Sequence, residues 1–320
     1  MTKIQKISIP EGKRIVCISD IHGELDLFKR LLNKVNFCDN DYLILLGDLF
    51  TKGSNCHETL KFCIELSEKP NVFALRGNAD WICDYLTETE VYWLEDLPHI
   101  IDADEFVFVH CGITANYFAQ PKAEPYIKHN NFMETASPFE RWVVVGHWPV
   151  SMYCHKIPCA NPIVNTEKKI ISIDGGNVIK RDGQLNAFII EGEKFSFVAV
   201  DDLPAYIVKN SHQEFGGSLN MTWTDRFVEM VEDGELLCDI KHLATGKIIT
   251  VPKVRVWTDA DEKLCACDLA TDYHLPCRAG DIVKVVAEFE DRMFVKVNGV
   301  SGWIREGVYH GCNIKERNNT

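Results

Sequence analysis

Residues 14–23 read RIVCISDIHG, an apolar stretch that ends in polar side chains and a glycine. The apolar part, Arg14–Ser19, has the pattern of a buried strand, and apolar residues then recur at helical spacing through Leu25–Val35. Two further apolar strands, Tyr42–Leu46 and Asn71–Leu75, follow at the distance of a crossover connection. Strand and helix in this alternation predict an α/β fold with a parallel sheet.

The pattern changes along the rest of this region. Helices are predicted over Glu58–Leu66 and from Trp81–Leu86 onward. After residue 100 the chain becomes strand-rich, and the candidate strands are Phe106–Val109, Trp142–Val145, Ile170–Ile173, Ala187–Ile190 and Phe195–Val200. The polar stretch Ala115–Glu140 carries three prolines and predicts loops with a helical turn, where an enzyme keeps variable substrate loops.

Composition excludes several classes of protein. The chain has 320 residues and a net charge of −13, and this acidic excess argues against a nucleic-acid or membrane-surface partner. Its longest apolar runs are about five residues, whereas a membrane helix needs about 20. The opening MTKIQKISIP lacks the apolar core of a secretory signal. Together with 13 cysteines, taken as reduced thiols, this predicts a cytoplasmic protein.

The chain divides into three predicted parts. Residues 1–200 form one domain, 201–217 a linker and 218–312 an all-β region. In the last part, short strand-like pieces alternate with turn residues, which favours a small barrel. Its section from about residue 250 to 312, with Gly280-Asp281 and Gly302-Trp303, resembles a bacterial SH3-like domain. That resemblance implies a module that docks a protein partner.

Five short motifs each follow a predicted strand, and they are Asp20-Ile21-His22-Gly23, Gly47-Asp48, Gly77-Asn78, His110-Cys111-Gly112 and Gly146-His147. In α/β sheets the carboxyl ends of strands gather ligands. Carboxylates and imidazoles bind divalent Mn, Fe or Zn. Asp48 could bridge two ions, since a carboxylate has two oxygens. Two ions about 4 Å apart would hold a phosphoryl group and bring the pKa of a shared water into the neutral range.

With the segments SDIHG, GDLFTKG, LRGNAD, VHCGI, VVGHWP and ISIDGG, the chain resembles the calcineurin-like metallophosphoesterases over about residues 13–200. Within them it is similar to the phosphoprotein phosphatases, which include bacterial and phage serine/threonine phosphatases and diadenosine tetraphosphatases. The resemblance implies an α/β fold in which two sheets form an αββα sandwich, followed here by the small all-β, SH3-like domain. Gly146-His147 lacks the second histidine of many phosphodiesterases, which favours the phosphatase branch.

The resemblance also implies roles for individual residues. One divalent ion, of Mn, Fe or Zn, would be held by Asp20, His22 and Asp48. A second would be held by Asp48, Asn78, His110 and His147. The implied catalytic residues are Asp48, Lys52, Asn78 and His147, acting with a metal-bridged hydroxide on a phosphoprotein or a nucleotide.

The chain departs from the family pattern at its general acid. The usual motifs Gly-Asp-x-x-Asp-Arg-Gly and Gly-Asn-His-Glu supply an acid histidine and its aspartate, which Ala79 and Thr51 replace here. Lys52 replaces the arginine and keeps its charge without the two-pronged grip on phosphate. Asp80 is predicted to be a carboxylate at a helix N-terminus. Asp174 is either a turn residue or a brace for a metal-bound histidine.

Loss of the acid predicts a leaving-group preference. A serine alkoxide needs a proton to leave, whereas a phosphoanhydride or aryl phosphate leaves with less help, and a general acid contributes about 10²- to 10⁴-fold. The leading hypothesis is a metal-dependent phosphohydrolase. The alternatives are a dinucleotide polyphosphate hydrolase or phosphodiesterase, and, in another class, a catalytically impaired metal-binding module that regulates a partner.

Overall fold

The computed structural model describes residues 2–114, 128–213, 218–289, 291–305 and 309–310. The chain folds into two compact units. The first comprises Met1–Val150, Asn161–Ile179 and Gly183–Asp201. The second comprises Ser151–Ala160, Lys180–Asp182 and Asp202–Thr320, so two short segments of the predicted first domain belong to the C-terminal unit.

The described part of the first unit contains strands and helices in alternation. Its strands are β1 (Ile4–Ile7), β2 (Ile15–Ile18), β3 (Tyr42–Leu45), β4 (Val72–Ala74), β5 (Ile100–Ala103), β6 (Phe106–Val109), β7 (Trp142–Val145), β8 (Ile163–Asn165), β9 (Ile170–Ser172), β10 (Leu185–Glu191) and β11 (Lys194–Val200). Its helices are α1 (Leu25–Lys34), α2 (Cys56–Ser67), α3 (Glu88–Asp96) and α4 (Phe132–Thr135). The predicted strands of this region are confirmed, and half of the predicted loop region, residues 115–127, lies outside the described residues.

These strands form two sheets. The five-stranded sheet has the order β11-β10-β2-β3-β4, and the six-stranded sheet has the order β1-β5-β6-β7-β9-β8. Strands β2, β3 and β4 run parallel, with Ile15 opposite Tyr42 and Leu43 opposite Val72, which confirms the predicted parallel arrangement. Strands β6, β7 and β9 are also parallel to one another.

Strand β2 is apolar at every position because both of its faces are buried. Val16 and Ile18 pack in a core with Phe28 and Leu31 of α1. Ile15 and Cys17 point the other way, into a second core that also contains Phe108, Val144 and Ile171 of the six-stranded sheet. A strand buried on both faces loses the alternation of polar and apolar residues. The two sheets therefore pack face to face, with α1 and α2 on the outer side of the five-stranded sheet.

The helix predicted from Trp81–Leu86 onward begins later than expected. Helix α3 begins after Thr87, whose side chain accepts a hydrogen bond from the main-chain N–H of Glu90, while the Glu90 carboxylate accepts one from the N–H of Thr87. This capping box is a strong helix start signal. The prediction was wrong because it relied on apolar spacing and passed over the Thr-x-x-Glu sequence; Trp81 and Tyr85 are about half exposed.

The second unit consists mainly of strands, as predicted. They are β12 (Ala205–Val208), β13 (Val228–Glu232), β14 (Leu237–His242), β15 (Ile248–Pro252), β16 (Val256–Thr258), β17 (Leu264–Ala266), β18 (Ile282–Glu288), β19 (Arg292–Val297), β20 (Val300–Arg305) and β21 (Tyr309–His310). They form sheets of five strands (β20-β19-β18-β12-β21), three strands (β13-β14-β15) and two strands (β16-β17). Short 3₁₀ helices cover Val150–Tyr153, Trp223–Asp225 and Lys253–Arg255.

The predicted linker, residues 201–217, contains a strand. Strand β12 pairs antiparallel with β18, and Val208 is buried. The apolar run Tyr206-Ile207-Val208 supplies both the β-propensity and the buried contact, so this part of the linker prediction was wrong. Across the described residues, no helix has the length and apolar character needed to cross a membrane.

Candidate metal centre

The first two motifs lie side by side because β2 and β3 are neighbouring parallel strands. The N–H of Asp20 donates to the carbonyl of Gly47 at 3.1 Å, and the N–H of His22 donates to the carbonyl of Asp48 at 3.0 Å. These bonds continue the sheet pairing beyond the strand ends. The loops that carry the predicted ligands are therefore fixed against each other.

The two later histidines come from the other sheet. His110 directly follows β6, and His147 follows β7, its parallel neighbour. Their ring centroids are 5.1 Å apart. The main-chain N–H of His147 donates to Asp20 Oδ2 at 2.9 Å, so the carboxyl ends of strands from both sheets meet at this point.

Asp20, Asp48 and His110 form a buried cluster whose potential ligand atoms all lie within 4.8 Å of one another. His110 Nδ1 is 2.7 Å from the carbonyl of Leu46, which can only accept, so Nδ1 carries a proton. The other nitrogen, Nε2, lies 3.3 Å from Asp48 Oδ1 and 3.1 Å from Asn78 Oδ1. Burial lowers the pKa of His110, but the charges of Asp48 and Asp20 outweigh it and raise this pKa. The cluster thus favours a positive charge at its centre.

His22 contributes a neutral imidazole to the same point. Its Nε2 is 3.7 Å from Asp20 Oδ1 and 3.9 Å from Asp48 Oδ2, both too long for hydrogen bonds. Its Nδ1 is buried and has no hydrogen-bond partner in the described part of the chain. Burial lowers the pKa of His22 to about 4, so the ring is uncharged at neutral pH. Burial, followed by the charge of His110, lowers the pKa of His147 to about 3.

The donor set fits divalent metal ions. Ligand atoms that each lie about 2.1 Å from one ion are about 3 to 3.5 Å apart from each other, close to the separations between His110 Nε2 and its neighbouring oxygens. Neutral imidazoles and ionised carboxylates are the protonation states that metals bind. Among the predicted ligands, Asp20, His22, Asp48, Asn78 and His110 converge directly. His147 lies beside them, and its Nε2 is 2.9 Å from the Oδ1 of Asn130.

Several of these residues have a left-handed backbone, which is uncommon outside glycine and which asparagine, aspartate and histidine adopt more often than other residues do. The φ angles are 56° at Asp20, 51° at His22, 52° at Asp48, 82° at Lys52 and 66° at His147. Each such conformation costs about 1–3 kcal/mol and persists only where the surroundings fix it. Their concentration here marks a site where stability is given up for a particular geometry.

Lys52, Thr51 and Ala79 lie beside the cluster. Lys52 Nζ is 3.8 Å from Asp48 Oδ2, and a third of its side chain is exposed. This places a positive charge between the carboxylate and solvent. Thr51 and Ala79 are in contact: Thr51 Oγ1 donates to the carbonyl of Ala79 at 2.5 Å.

Asp80 has a role that the sequence interpretation missed. Its carboxylate accepts main-chain hydrogen bonds from Gly77 at 2.8 Å, Asp48 at 2.8 Å and Leu49 at 2.7 Å. The prediction of a helix N-terminus was wrong, since α3 begins at Glu88. Burial, followed by the charge of Asp48, raises the pKa of Asp80 to about 6. Through these hydrogen bonds, Asp80 links the main chain of the second motif to that of the third.

Two other buried polar groups adjoin Asp20. Ser19 Oγ donates to Asp20 Oδ2. Asp174 Oδ1 accepts from the main-chain N–H of Gly176 at 2.7 Å, which favours the turn role over the brace. Burial, followed by the charge of Asp20, raises the pKa of Asp174 well above its ordinary value. Ser19 directly precedes the first motif, and its position next to Asp20 in the sequence was the available signal.

Comparisons with known proteins agree with this geometry. Residues 13–171 match the family model described as calcineurin-like phosphoesterase. A symmetrical bis(5'-nucleosyl)-tetraphosphatase of Vibrio parahaemolyticus is 30% identical over 122 residues, which cover 31% of this chain and 45% of the relative. The corresponding enzyme of Delftia acidovorans is 39% identical over 67 residues, covering 21% and 23% respectively. The chain therefore spans less than half of the length of these curated relatives.

One solved structure shows the same fold. It is a protein provisionally assigned as a diadenosine tetraphosphatase, with a TM-score of 0.51 and 18% identity, and the match covers 63% of this chain and all of the other. Residues 13–171 of this chain are thus similar to the calcineurin-like phosphoesterases, and the solved structure has the same fold over the matched part of the chain.

Proposed function

We propose that this protein is a metal-dependent phosphohydrolase. The observation that carries the proposal is the buried convergence of Asp20, Asp48 and His110 at the strand ends of a metallophosphoesterase domain. Asp20, His22 and Asp48 would hold one divalent ion of Mn, Fe or Zn, and Asp48, Asn78, His110 and His147 a second. When bound, such ions neutralise charge on phosphoryl oxygens and bring the pKa of a coordinated water toward the neutral range.

The chain's own residues then prepare the site for a phosphorylated substrate. Asp48 directs one oxygen toward His110 and the other toward His22, as a bridging ligand requires. Lys52, beside the same carboxylate, is the candidate for contact with a phosphate oxygen. Asp80 holds the main chain of both motifs, so the cluster is organised before substrate arrives.

The substrate class follows from the leaving group. Thr51 and Ala79 supply no proton in place of the family's acid pair. Another histidine could replace the missing acid, but one candidate, His57, is hydrogen-bonded to Glu90 at 2.8 Å. We therefore favour substrates whose leaving group departs without a general acid, namely phosphoanhydrides and aryl phosphates. The names of the curated relatives support dinucleotide polyphosphates within this class. Phosphoprotein phosphatase and phosphodiesterase activities are the alternatives.

A comparison of three substrates tests the function. The full chain, loaded with Mn²⁺, is assayed on an aryl phosphate, a phosphoserine peptide and a dinucleotide tetraphosphate, with a chelated sample as control. We expect turnover of the first and third to exceed that of the peptide by about 10²-fold or more. Equal rates on the peptide and the aryl ester would contradict the leaving-group argument. Tight metal binding with no turnover of any substrate would favour a metal-binding regulatory module instead.

Restoring the acid pair should change this preference. In the double variant Thr51→Asp/Ala79→His, we expect hydrolysis of the phosphoserine peptide to rise by about 10²-fold, with little change on the aryl phosphate, because only the alkoxide needs the proton. The two positions already touch, so the new side chains can pair. Thr51→Asp alone is the matched control. A parallel change on both substrates would argue against a missing acid, and Mn²⁺ affinity checks that the buried histidine leaves the cluster intact.

The C-terminal unit and the location of the protein belong to the same proposal. We propose that the section from about residue 250 to 312 is an SH3-like module that docks a protein partner; its short antiparallel strands support this assignment. The cytoplasmic location, inferred from the cysteine content, also stays a prediction.

A further inference from the structure

We propose that Asn130, from a loop outside the five motifs, is a positioning residue that fixes which nitrogen of His147 carries the proton and which offers its lone pair to the metal centre. The inference rests on the proposed function, since it assigns a role toward the metal ions of that site. Asn130 Oδ1 lies 2.9 Å from His147 Nε2. An amide oxygen can only accept, so Nε2 carries the ring proton and the lone pair is on Nδ1.

The main chain of His147 is held in place independently of this bond. Its main-chain N–H donates to Asp20 Oδ2 at 2.9 Å, and its φ of 66° is set by the turn after β7. The ring lies edge-on to His110, with centroids 5.1 Å apart. Asn130 Oδ1 is an acceptor on the side of the ring that bears Nε2, so it selects the tautomer that is protonated there.

His110 shows the same device with the nitrogens exchanged. Its Nδ1–H donates to the carbonyl of Leu46, and its Nε2 faces Asp48 and Asn78. The two neighbouring imidazoles therefore present opposite nitrogens, each set by an oxygen acceptor behind the ring. Hydrogen bonds of this kind orient metal-binding histidines and raise their basicity.

The loop that carries Asn130 is anchored to the fourth motif. Phe132, which begins α4, is fully buried, and a Cβ on Gly112 would lie only 2.5 Å from its ring. The absence of a side chain at Gly112 therefore leaves room for Phe132 to pack against the fourth motif. His129 adds a contact, with its ring 5.3 Å from that of Phe132. Asn131 donates to Glu134 Oε2 at 2.7 Å. These contacts place Asn130 at His147 through packing rather than through the exposed loop alone.

The first test reads the tautomer directly. In the metal-free full chain with ¹⁵N-labelled histidine, His147 should show the nitrogen shifts of an Nε2-protonated ring, assigned with the His147→Gln variant. In Asn130→Ala it should become a mixture of tautomers. An Nδ1-protonated His147 in the wild type, or an unchanged spectrum in Asn130→Ala, would overturn the inference.

The second test reads the metal. Calorimetric titration of Mn²⁺ should show affinity about 10- to 100-fold weaker in Asn130→Ala. Asn130→Asp, which keeps an oxygen acceptor, should restore it, and Asn33→Ala on the exposed face of α1 is the matched control. Wild-type affinity in Asn130→Ala, or tighter binding, would refute the role of Asn130. Failure of the wild type itself to bind Mn²⁺ would instead refute the proposed function, and the tautomer spectra would still decide the inference.

Discussion

Replacing Asp48 with asparagine is expected to abolish metal-dependent hydrolysis. The two carboxylate oxygens face different imidazoles, with Oδ1 at 3.3 Å from His110 Nε2 and Oδ2 at 3.9 Å from His22 Nε2. An amide offers only one ligand oxygen, so the bridge is lost. Since a metal ion supplies several kcal/mol of transition-state stabilisation, turnover should fall by about 10³-fold or more, together with Mn²⁺ affinity measured by calorimetry.

This variant has a second expected property that separates loss of the site from loss of the fold. Asp48 raises the pKa of both Asp80 and Asp174 through repulsion, so removing its charge relieves a buried cluster of carboxylates. Metal-free Asp48→Asn should therefore be at least as stable to urea as the metal-free wild type, while the stabilisation by Mn²⁺ disappears. The exposed Asp39→Asn is the control. A destabilised metal-free variant, or one that still binds Mn²⁺ normally, would contradict the bridging role.

Gly146→Ala is expected to damage the metal centre through a single methyl group. A Cβ at this position would collide with Ser19 Oγ and lie 2.5 Å from Asp20 Oδ2. Asp20 must then move, and the hydrogen bond from the His147 N–H to its carboxylate is broken. Overpacking of this kind costs about 1–3 kcal/mol, and we expect Mn²⁺ affinity to fall by about 10²-fold or more because two predicted ligands shift together.

Gly192→Ala is a control that should lose a similar unfolding free energy at a position away from the metal centre. Gly192 lies in the turn between β10 and β11 and has a φ of +61°, and no atom of the described residues lies within 4 Å of the added methyl group. Its left-handed backbone makes alanine unfavourable by about 1–2 kcal/mol without any collision. Both variants should therefore lose comparable unfolding free energy, and only Gly146→Ala should lose Mn²⁺ affinity. Equal metal binding in the two would mean that the space beside Asp20 is not required.

The sequence was sufficient to locate the parallel strands and the ligands that follow them. The five motifs were identifiable because a polar pair after an apolar strand is a local pattern, and strand order then brings such pairs to one edge. Asp80 was misassigned because its role depends on three main-chain N–H groups from two separate loops. Asn130 gave no signal at all, since the contact with His147 depends on how Phe132 packs against Gly112.

The C-terminal part illustrates a different limit. Strand character was evident from β-branched residues and turns, yet β12 was assigned to a linker because it is short and its pairing partner, β18, lies about 75 residues away. Pairing between distant segments is a property of the folded chain that local spacing does not encode. The capping box at Thr87, by contrast, was present in the sequence and could have placed α3 correctly.

The left-handed backbone at Asp20, His22, Asp48 and His147 has a consequence for protein engineering. At these positions glycine would relieve torsional cost and remove buried charge or desolvated rings at the same time. A directed-evolution campaign that selects only for heat resistance in the absence of metal would therefore favour replacement of the metal ligands. Libraries built on this scaffold need a functional readout in every round, or they will converge on inert proteins with higher melting temperatures.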